Sequence, residues 1–384
     1  MELHFMTFAA DLYLQEALQK RAELNAFRRL QASELPVDFC SNDYLGYSRS
    51  KKLQDAIEQE WEKASVTRNG STGSRLLAGN TAYAENLEKH LAAFHQTEAG
   101  LIFNSGYDAN LGLFSSLGQT TTTFLYDELI HASVHDGIKL SRSTAYLFKH
   151  NDLVHLEERL KIAKGSVYVA VESIYSMDGD QAPLKEIILL CEKYKANLIV
   201  DEAHATGITA NEGKGLVQLH RLENKVFARV HTFGKALGCH GAVVVGSELL
   251  RNYLINFSRS FIYTTALPMN SLMAIHQAYS LLREDKESVK QLNGNIRLFK
   301  REMTRIADIK LIESESPIQS IIIKGNEVVK NCAESLRKKG LDVRPILSPT
   351  VPKGKERLRI CIHSFNTENE IQQLVQGIAQ TPDE

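Results

Sequence analysis

The sequence predicts an α/β fold, in which helices cover both faces of a mostly parallel sheet, followed by a smaller α+β part. Short apolar runs alternate with stretches of helical periodicity between residues 51 and 265, as in parallel sheets whose strands are joined by crossover helices. The chain has 384 residues, more than a single hydrophobic core usually spans. Its 43% hydrophobic and 24% charged residues are typical of globular proteins, which excludes a chain that is mainly disordered.

Each element follows from the spacing of apolar residues. Apolar positions at helical spacing predict helices over 11–30, 51–64, 82–95, 153–163 and 183–194. Seven apolar runs predict strands at 101–103, 124–126, 146–148, 167–171, 198–200, 226–230 and 242–245. After Pro268 a long helical pattern runs to Met303, followed by strand-like segments at 320–323, 341–346 and 358–362 and helices at 326–339 and 368–379. We therefore predict an N-terminal helix and extension over 1–48, a large domain over 49–270 and a C-terminal domain over 271–384.

Charge and composition exclude several classes of function. The formal net charge is −1, which argues against nucleic acid or an anionic membrane as the principal partner. No apolar run approaches the length of a membrane span, and residues 1–11 lack the pattern of a secretory signal, so we expect a cytoplasmic protein. The five cysteines lie far apart without a C-x-x-C pair, which favours free thiols over disulfides or a zinc site, and we expect no metal.

The usual nucleotide and hydrolase motifs are absent: there is no G-x-G-x-x-G after a strand, no phosphate-binding G-x-x-x-x-G-K-[ST], no H-E-x-x-H and no G-x-S-x-G. In an open α/β sheet, ligands bind beyond the carboxyl ends of the strands. Polar and titratable residues, which can bind a ligand or take part in catalysis, follow the apolar runs: 104–106, Asp127, His150, Glu172, 201–204 and 232–235. We therefore place the site at this edge of the sheet.

An acid, a histidine and a lysine follow two of these strands. Asp201 ends an apolar run, His204 comes three residues later, and Lys235 stands between glycines after the next run. A pyridoxal phosphate enzyme needs a lysine that binds the aldehyde and an aspartate that keeps the pyridine nitrogen protonated. An aspartate after a strand is more often a helix cap, and a lone lysine is usually a surface charge. These three residues alone therefore do not establish a pyridoxal phosphate site.

Ordered motifs along nearly the whole chain decide the question. They are 41–46 (SNDYLG), 70–75 (GSTGSR), 104–110 (NSGYDAN), 127–133 (DELIHAS), 176–180 (SMDGD), 201–207 (DEAHATG) and 232–236 (TFGKA). Together they resemble the α-oxoamine synthases of the fold-type I pyridoxal phosphate superfamily. The resemblance implies the fold of that superfamily, with a mostly parallel sheet in a large domain and a smaller α+β C-terminal domain, and pyridoxal 5'-phosphate as cofactor.

The resemblance also implies roles for individual residues around the cofactor. Lys235 forms the Schiff base, Asp201 pairs with the pyridine nitrogen, His204 bonds the ring oxygen and His131 stacks on the ring; these four are the expected catalytic residues. The further cofactor-binding residues are Gly106, Tyr107, Ser176, Thr232, Thr264 and Thr265. Thr264 and Thr265 match a segment that reaches the phosphate from a neighbouring subunit, which implies a homodimer with shared active sites.

The substrate residues come from both ends of the chain. Arg359 matches the arginine that binds the amino-acid carboxylate, Asn42 assists it, and Arg21 and Thr350 match further substrate positions. For Arg21, an ordinary solvated charge is an equally good interpretation, because its helix carries many basic residues. After Arg359 the chain departs from the family: residues 361–367 read CIHSFNT, where relatives usually have small residues and a histidine before the threonine. This departure leaves the shape of the nearby pocket open.

Segments 261–268 (FIYTTALP) and 349–352 (PTVP) most resemble family members that condense L-alanine with a pimeloyl thioester, releasing carbon dioxide and the thiol. The resemblance thus implies small-molecule substrates; whether the thioester is carried by coenzyme A or by an acyl carrier protein stays open. A sibling synthase that uses glycine or serine with another acyl-CoA is the first alternative. A catalytically dead regulatory subunit is disfavoured by the intact Lys235, Asp201 and His204. A general aminotransferase is disfavoured by the synthase-type segments at 41–46 and 263–268.

Overall fold

The computed structural model describes residues 8–30, 35–64, 68–306, 309 and 311–380. Part of the N-terminal segment in which no signal was expected, residues 1–7, lies outside these ranges. In chain order the helices and strands are α1 (Ala9–Glu23), β1 (Val37–Asp38), α2 (Lys51–Lys63), α3 (Ala82–Phe94), β2 (Ala99–Phe103), α4 (Gly106–Leu117), β3 (Thr122–Asp127), α5 (Ala132–Leu140), β4 (Thr144–Phe148), α6 (Leu153–Ile162), β5 (Ser166–Glu172), α7 (Leu184–Tyr194), β6 (Asn197–Asp201), α8 (Leu216–Leu219), β7 (Ala228–Thr232), β8 (Ala242–Gly246), α9 (Glu248–Phe257), α10 (Arg259–Ile262), α11 (Met269–Glu284), α12 (Lys286–Met303), β9 (Ile318–Ile322), α13 (Asn326–Lys338), β10 (Leu341–Asp342), β11 (Arg344–Ile346), β12 (Arg357–Cys361) and α14 (Glu368–Ala379).

The seven predicted apolar runs form one seven-stranded sheet with the strand order β2-β8-β7-β6-β5-β3-β4. Every neighbouring pair is parallel except the two that involve β8, which runs antiparallel to β2 and β7. Alternate residues of β5 enter different core clusters: Val169 and Val171 pack on one face of the sheet, and Ala170 packs on the other. Both faces are therefore buried, and the predicted α/β architecture is confirmed.

Strand β7 lies two residues further along the chain than the apolar run 226–230 indicated. The backbone N–H of Phe227 bonds Leu198 O at 2.8 Å, and the ladder with β8 continues to the pair Thr232–Ala242. His231 and Thr232 belong to the strand although they are polar, so the prediction from hydropathy alone ended the strand too early. This shift places Thr232 at the carboxyl end of the strand.

Two predicted helices end earlier than their patterns suggested. Helix α1 ends at Glu23, where the prediction ran to residue 30, because Asn25 adopts a left-handed conformation with φ 51°. The pattern from Pro268 to Met303 is two helices, since Asp285 leaves the helix and caps α12 by accepting a hydrogen bond from Ser288 N at 2.9 Å. A cap residue can thus interrupt a periodic pattern without a proline or a glycine.

Periodicity did not predict helices α4, α5, α8, α9 and α10, although the family resemblance implied a helix that begins at Gly106 and Tyr107. Helix α4 begins with Gly106 and carries a second glycine and several polar residues, which obscure the apolar stripe that a periodicity argument needs. Helix α4 still buries Leu113 and Phe114 against the sheet. Tertiary burial therefore outweighs the low intrinsic helix preference of this segment.

The C-terminal elements form a three-stranded antiparallel sheet in the order β11-β12-β9, with α13 packed on it and α14 packed against α12 and α13. The N-terminal strand β1 pairs in parallel with β10, and Cys361 N donates a hydrogen bond to Phe39 O at 2.8 Å. These contacts fasten the segment after β1 to the C-terminal sheet, and so bring Asn42 close to Arg359. No helix of the described ranges combines the length and the apolar character that a membrane crossing requires.

Candidate active site

A cavity of about 210 Å³ opens at the carboxyl ends of β5, β6 and β7, the edge where the sequence placed the site. It is lined by Asn42, Ser105, Gly106, Tyr107, Asn110, His131, Ser133, Glu172, Asp201, Ala203, His204, Thr232, Gly234, Lys235, His240 and Gly241. Eight of the predicted site residues therefore meet here, although up to 193 positions separate them in the chain (Asn42 and Lys235).

The start of α4 forms one end of the cavity. Ser105 caps this helix, with its Oγ accepting a hydrogen bond from Asp108 N at 3.0 Å, and Gly106 and Tyr107 are its first two residues. The first N–H groups of a helix lack partners within the helix and favour an anion. Thr232 Oγ1 is buried beside them without a hydrogen-bond partner among the described residues. A Cβ on Gly106 would lie 2.4 Å from Thr232 Cγ2, so this position has room for glycine alone. This end of the cavity fits a phosphate group.

Asp201 lies at the end of β6 and is held by two hydrogen bonds. Its Oδ1 accepts from Ala203 N at 2.9 Å, and its Oδ2 accepts from Asn110 Nδ2 at 2.7 Å. Asn110 was not predicted as a site residue, although it lies one helical turn after Gly106 on α4 and therefore on the same side of that helix. Both contacts fix the direction of the Asp201 carboxylate, which is what an aspartate facing a ring nitrogen requires.

Asn110 also connects Asp201 to His131. Its Nδ2 donates to Ser133 Oγ at 3.0 Å, and this oxygen lies 2.7 Å from His131 Nδ1. Ser133 N also donates to His131 Nδ1 at 3.2 Å, so Nδ1 is an acceptor and the neutral ring carries its proton on Nε2. Burial lowers the pKa of His131, the positive charge of Lys235 lowers it further, and the Asp201 carboxylate opposes both. The exposed imidazole faces the cavity as a neutral ring.

Lys235 follows β7 and borders the cavity. Burial lowers the pKa of its amine, and the positive charge of Arg359 acts in the same direction, while the carboxylates of Asp201 and Glu172 oppose the shift. The Lys235 side chain is half-buried, because one side of it faces the cavity. The surrounding protein still excludes most of the water that would otherwise solvate the amine. A lowered lysine pKa increases the neutral fraction that can act as nucleophile or base.

Glu172 at the end of β5 is a site residue whose role the sequence did not indicate, although its position after a strand had drawn attention to it. It lies in register with Asp201 on the neighbouring strand and is 2% exposed. Burial raises its pKa well above the usual range, and the negative charge of Asp201 raises it further. Burial and Asp201 therefore favour the protonated form of the Glu172 carboxyl, while the positive charge of Lys235 and the hydrogen bond from Ser176 N to Glu172 Oε2 lower this pKa.

His204 lines the cavity, is otherwise buried and contacts Tyr44. Its Nδ1 lies 2.8 Å from the Tyr44 hydroxyl, which also donates to Asn42 Oδ1 at 3.1 Å. Burial lowers the pKa of His204 well below its usual value, and the positive charges of Lys235 and Arg359 add to this. His204 is therefore neutral, and Tyr44, which the motif 41–46 contained without a role, orients it.

Arg359 on β12 lies beside the cavity and is held on three sides. Its Nε donates to Ser176 O at 2.7 Å, one terminal nitrogen donates to Asn42 Oδ1 at 3.0 Å, and the other lies 3.0 Å from Cys361 Sγ. Ser176, predicted to contact the cofactor, lies outside the residues that line the cavity and contributes its carbonyl to Arg359. These three contacts hold the guanidinium in one orientation next to Asn42, which lines the cavity.

The unusual segment 361–367 does not line the cavity. His363 and Asn366 are buried behind the segment that carries Asn42. His363 Nε2 lies 3.0 Å from Ser41 O, and Asn366 Nδ2 donates to Asp38 O at 3.1 Å. The unusual segment therefore supports the N-terminal part of the site from outside the cavity, and its first residue, Cys361, contacts Arg359.

Besides Ser176 and Arg359, four more predicted residues lie outside the cavity lining: Arg21, Thr264, Thr265 and Thr350. Arg21 lies on α1, which has no buried residue, and Thr350 Oγ1 accepts a hydrogen bond from Arg28 at 3.2 Å. Thr264 and Thr265 are held by Asn104, whose Nδ2 donates to Thr264 Oγ1 and to Thr265 O, both at 2.9 Å. No group of three or more potential ligands able to hold a metal ion is found in the described ranges.

Acid is expected to destabilise the fold through its buried histidines. Burial lowers the pKa of His95, His204, His231 and His363, so each is neutral when folded and takes up a proton more readily when unfolded. Their contribution is present above the unfolded pKa of about 6.5 and is lost as the pH falls below it, by up to about 1.4 kcal/mol per pH unit for each histidine. Urea unfolding at pH 7, 6 and 5 measures this loss. The slope should be shallower in His231→Gln; an identical slope would contradict the argument.

Known proteins match the chain over nearly its full length. The sequence profile described as aminotransferase class I and II matches residues 36–378. The chain belongs to the class I and II aminotransferase family. An 8-amino-7-oxononanoate synthase from Emericella nidulans is 42% identical over 95% of this chain and 94% of its own. A putative enzyme of the same name from Bacillus licheniformis is 35% identical over 96% of both chains.

Solved structures of this family have the same fold. A serine palmitoyltransferase from S. paucimobilis with bound pyridoxal phosphate superimposes with a TM-score of 0.89 at 25% identity, covering 98% of both chains. An 8-amino-7-oxononanoate synthase from Francisella tularensis superimposes with a TM-score of 0.77 at 30% identity, covering 91% of this chain and 98% of its own. These matches confirm the predicted fold-type I architecture, the resemblance to the α-oxoamine synthases, and a pyridoxal-phosphate-dependent acyltransferase as the class of enzyme.

The cavity fits the cofactor of this family. It combines an anion site at the start of α4, the unpartnered hydroxyl of Thr232, a fixed carboxylate on Asp201 and a desolvated amine on Lys235. The start of α4 and Thr232 match the phosphate of pyridoxal phosphate, Asp201 matches the pyridine nitrogen, and Lys235 matches the aldehyde.

Gly106→Ala is expected to weaken cofactor binding about tenfold or more, because the added Cβ would press on Thr232 Cγ2 and widen the phosphate end of the cavity. Titration of the apoprotein with pyridoxal phosphate, followed by visible absorbance, measures the change. Gly294→Ala is the matched control, since a Cβ there meets nothing within 4 Å and Gly294 lies inside α12. The control should bind the cofactor normally and be more stable by about 0.5–1 kcal/mol. Equal cofactor affinity in both variants would show that the start of α4 does not hold the phosphate.

Proposed function

We propose that this protein is an 8-amino-7-oxononanoate synthase of biotin biosynthesis, which condenses L-alanine with a pimeloyl thioester and releases carbon dioxide and the thiol. The observation that carries the proposal is the placement of Arg359 beside the cavity that contains Lys235 and Asp201. Arg359 donates to Asn42, which lines this cavity, and so provides a carboxylate-binding group next to the cofactor site. The relatives that bear this name match the chain from end to end.

We assign the cofactor contacts by the geometry of the cavity. Gly106, Tyr107 and Thr232 would hold the phosphate, and Asp201 would hold the pyridine nitrogen. His204 would bond the ring oxygen, and His131 would cover the ring face. When bound, pyridoxal phosphate supplies an electron-withdrawing ring that acidifies the α-proton of the amino acid.

Lys235 acts as the base in this proposal. Its lowered pKa keeps part of the population neutral, so that Nζ can take the α-proton and later return it. Arg359 binds the amino-acid carboxylate with two parallel donors, a geometry that a lysine cannot provide. Asn42 supports Arg359 through its Oδ1. The chain thereby holds the amino acid by its carboxylate while Lys235 moves its proton.

The remaining predicted residues belong to the acyl substrate and to a second subunit. Arg21 and Thr350 are proposed to contact the acyl chain, and Thr264 and Thr265 to reach the phosphate of the partner subunit in a homodimer. The domain division at residues 49–270 and 271–384 is part of the same proposal. The carrier of the thioester, coenzyme A or a carrier protein, is decided by experiment.

A serine palmitoyltransferase activity is the second candidate, since that enzyme gives the higher TM-score of the two solved structures described above. Backbone similarity of this kind reflects the shared fold, and the side chains decide the substrate. The sequence identity is higher to the oxononanoate synthases, which favours L-alanine.

A substrate panel separates these candidates. The holoenzyme is assayed with L-alanine, glycine and L-serine, each against acetyl, pimeloyl and palmitoyl thioesters of coenzyme A and of a carrier protein, with release of free thiol as the readout. We expect turnover with L-alanine and a pimeloyl thioester to exceed all other pairs. Turnover confined to serine with palmitoyl-CoA would replace the first proposal by the second, and an absence of turnover with every pair would refute both.

A further inference from the structure

The loop between β5 and α7 is largely buried over residues 173–181, between the large sheet and the C-terminal sheet, and of these residues Gln181 is exposed. Ser173, Ile174 and Tyr175 are at most 1% exposed. An irregular segment with so little exposure needs partners for its backbone groups, since water does not reach them. The partners of this loop come from two sides, and they determine where it lies.

On one side, the C-terminal part of the chain binds the loop along its length. Ser320 Oγ donates to Met177 O at 2.7 Å, and Ser314 Oγ donates to Gly179 O at 2.9 Å. Asp178 and Arg357 form an ion pair. Arg359, two residues further along β12, donates from Nε to Ser176 O, so the position of the loop is directly coupled to the orientation of this guanidinium.

On the other side, His150 fastens the loop to the large sheet. Its Nε2 lies 2.7 Å from Asp180 Oδ2 in the loop, and its Nδ1 lies 2.9 Å from Asp127 Oδ1 at the end of β3. The edge of the imidazole packs against Tyr175, with ring centroids 4.5 Å apart. Asn151 Nδ2 adds a hydrogen bond to Asp180 Oδ2 at 2.8 Å. His150 is thus a bridge between two carboxylates, one on the sheet and one on the loop.

This bridge requires a cation. A carboxylate accepts hydrogen bonds, so both ring nitrogens of His150 must donate, which is possible when the ring is protonated. Burial lowers the pKa of His150, but the hydrogen bonds to Asp127 and Asp180 outweigh it and raise the pKa to about 10. At neutral pH the imidazolium joins both carboxylates through two separate nitrogens, whereas a glutamine carries both of its N–H donors on one nitrogen and cannot reproduce this bridge.

We propose that His150 is a positioning residue for the amino-acid substrate: by holding Asp180 it fixes the 173–181 loop, and through Ser176 O it sets the orientation of Arg359. This inference rests on the proposed role of Arg359 as the carboxylate-binding residue. His150 itself lies outside the cavity lining and touches neither cofactor nor substrate. Its loss should therefore weaken the binding of the amino acid and leave the cofactor site intact.

The test compares His150→Gln with His220→Gln, which removes a partly buried histidine far from the loop in the chain. In His150→Gln, KM for L-alanine should rise about tenfold, while kcat changes less than about threefold and the affinity for pyridoxal phosphate is unchanged. Hydrogen exchange measured by mass spectrometry should become faster in peptides that cover 173–181 and stay unchanged elsewhere. The His220→Gln variant should match the natural protein in all four measurements.

Asp180→Asn provides a milder second variant, because the amide can still accept a hydrogen bond from His150. It should raise KM by less than His150→Gln, and the double variant should be no worse than His150→Gln alone, since both changes break one contact. Faster exchange in 173–181 with unchanged KM would overturn the proposal, and so would an equal loss of kcat, cofactor affinity and global stability. If the natural protein does not use L-alanine, the proposed function fails; the affinity for whichever amino acid perturbs the visible spectrum then tests His150 separately.

Discussion

Replacing Lys235 by alanine is expected to reduce turnover by about 10⁴-fold or more, the largest effect of any single change in this chain. Lys235 is the amine of the cavity whose pKa is lowered by burial and by Arg359, and it is proposed both to bind the aldehyde of the cofactor and to move the α-proton. The variant should also lose, on dialysis, the visible absorbance that the natural protein retains. Turnover is measured by thiol release at saturating substrate, and cofactor retention by absorbance and by protein mass after borohydride reduction.

Two controls make this result interpretable. Lys225→Ala removes a lysine whose side chain is 47% exposed and pairs with Glu192, and it should leave turnover and absorbance unchanged. Lys235→Arg keeps a positive charge but not a nucleophilic amine, so it should be as inactive as Lys235→Ala while keeping the fold. Retained colour and turnover in Lys235→Ala would refute the assignment of the catalytic lysine and the mechanism built on it.

Asp201→Asn is expected to lower kcat by about 10²–10³-fold, since it removes the fixed negative charge that would hold the ring nitrogen protonated. The amide Oδ1 can still accept from Ala203 N, but its Nδ2 would then face Asn110 Nδ2, where two donors meet and one hydrogen bond is lost. Thiol release gives kcat, and titration with pyridoxal phosphate gives the cofactor affinity, which should also fall.

The control for this change is Asp55→Asn on α2, where the carboxylate forms an exposed ion pair with Lys51. Exposed pairs of this kind contribute at most about 1 kcal/mol, so stability and turnover should be close to those of the natural protein. Asp201→Glu restores the charge with a longer side chain and should recover part of the activity. A kcat in Asp201→Asn within a factor of three of the natural value would exclude Asp201 as the partner of the ring nitrogen.

Local sequence pattern predicted the strands well because burial on both faces of a sheet demands continuous apolar runs. The runs at 167–171 and 198–200 became β5 and β6, with Glu172 and Asp201 in register at their ends. The pattern was less informative where polar residues belong to an element. His231 and Thr232 extend β7 beyond its apolar run, and Asp285 divides what the pattern presented as one helix. In both places hydrogen bonds, and not hydropathy, set the boundary.

The motifs predicted the principal site residues, and the structure added those that hold them. Asn110 joins Asp201 to His131 through Ser133, and Tyr44 contacts His204 across 160 residues of chain. Neither contact has a local signature, because a hydrogen bond between distant segments leaves no periodicity in either of them.

The sequence by itself determined the chain order of the seven strands in the large sheet, several of the longer helices, the residues that follow each strand, and the family to which the motifs point. The tertiary structure decided which polar groups face one another: that Ser176 and Asn42 fix Arg359, that Glu172 lies beside Asp201, and that His150 bridges Asp127 and Asp180. The physical reason is that burying one or both faces of a helix or strand imposes a regular spacing of apolar residues, which is visible in the local sequence. The direction of a hydrogen bond or the pKa of a carboxyl depends instead on groups that folding brings together from far apart in the chain.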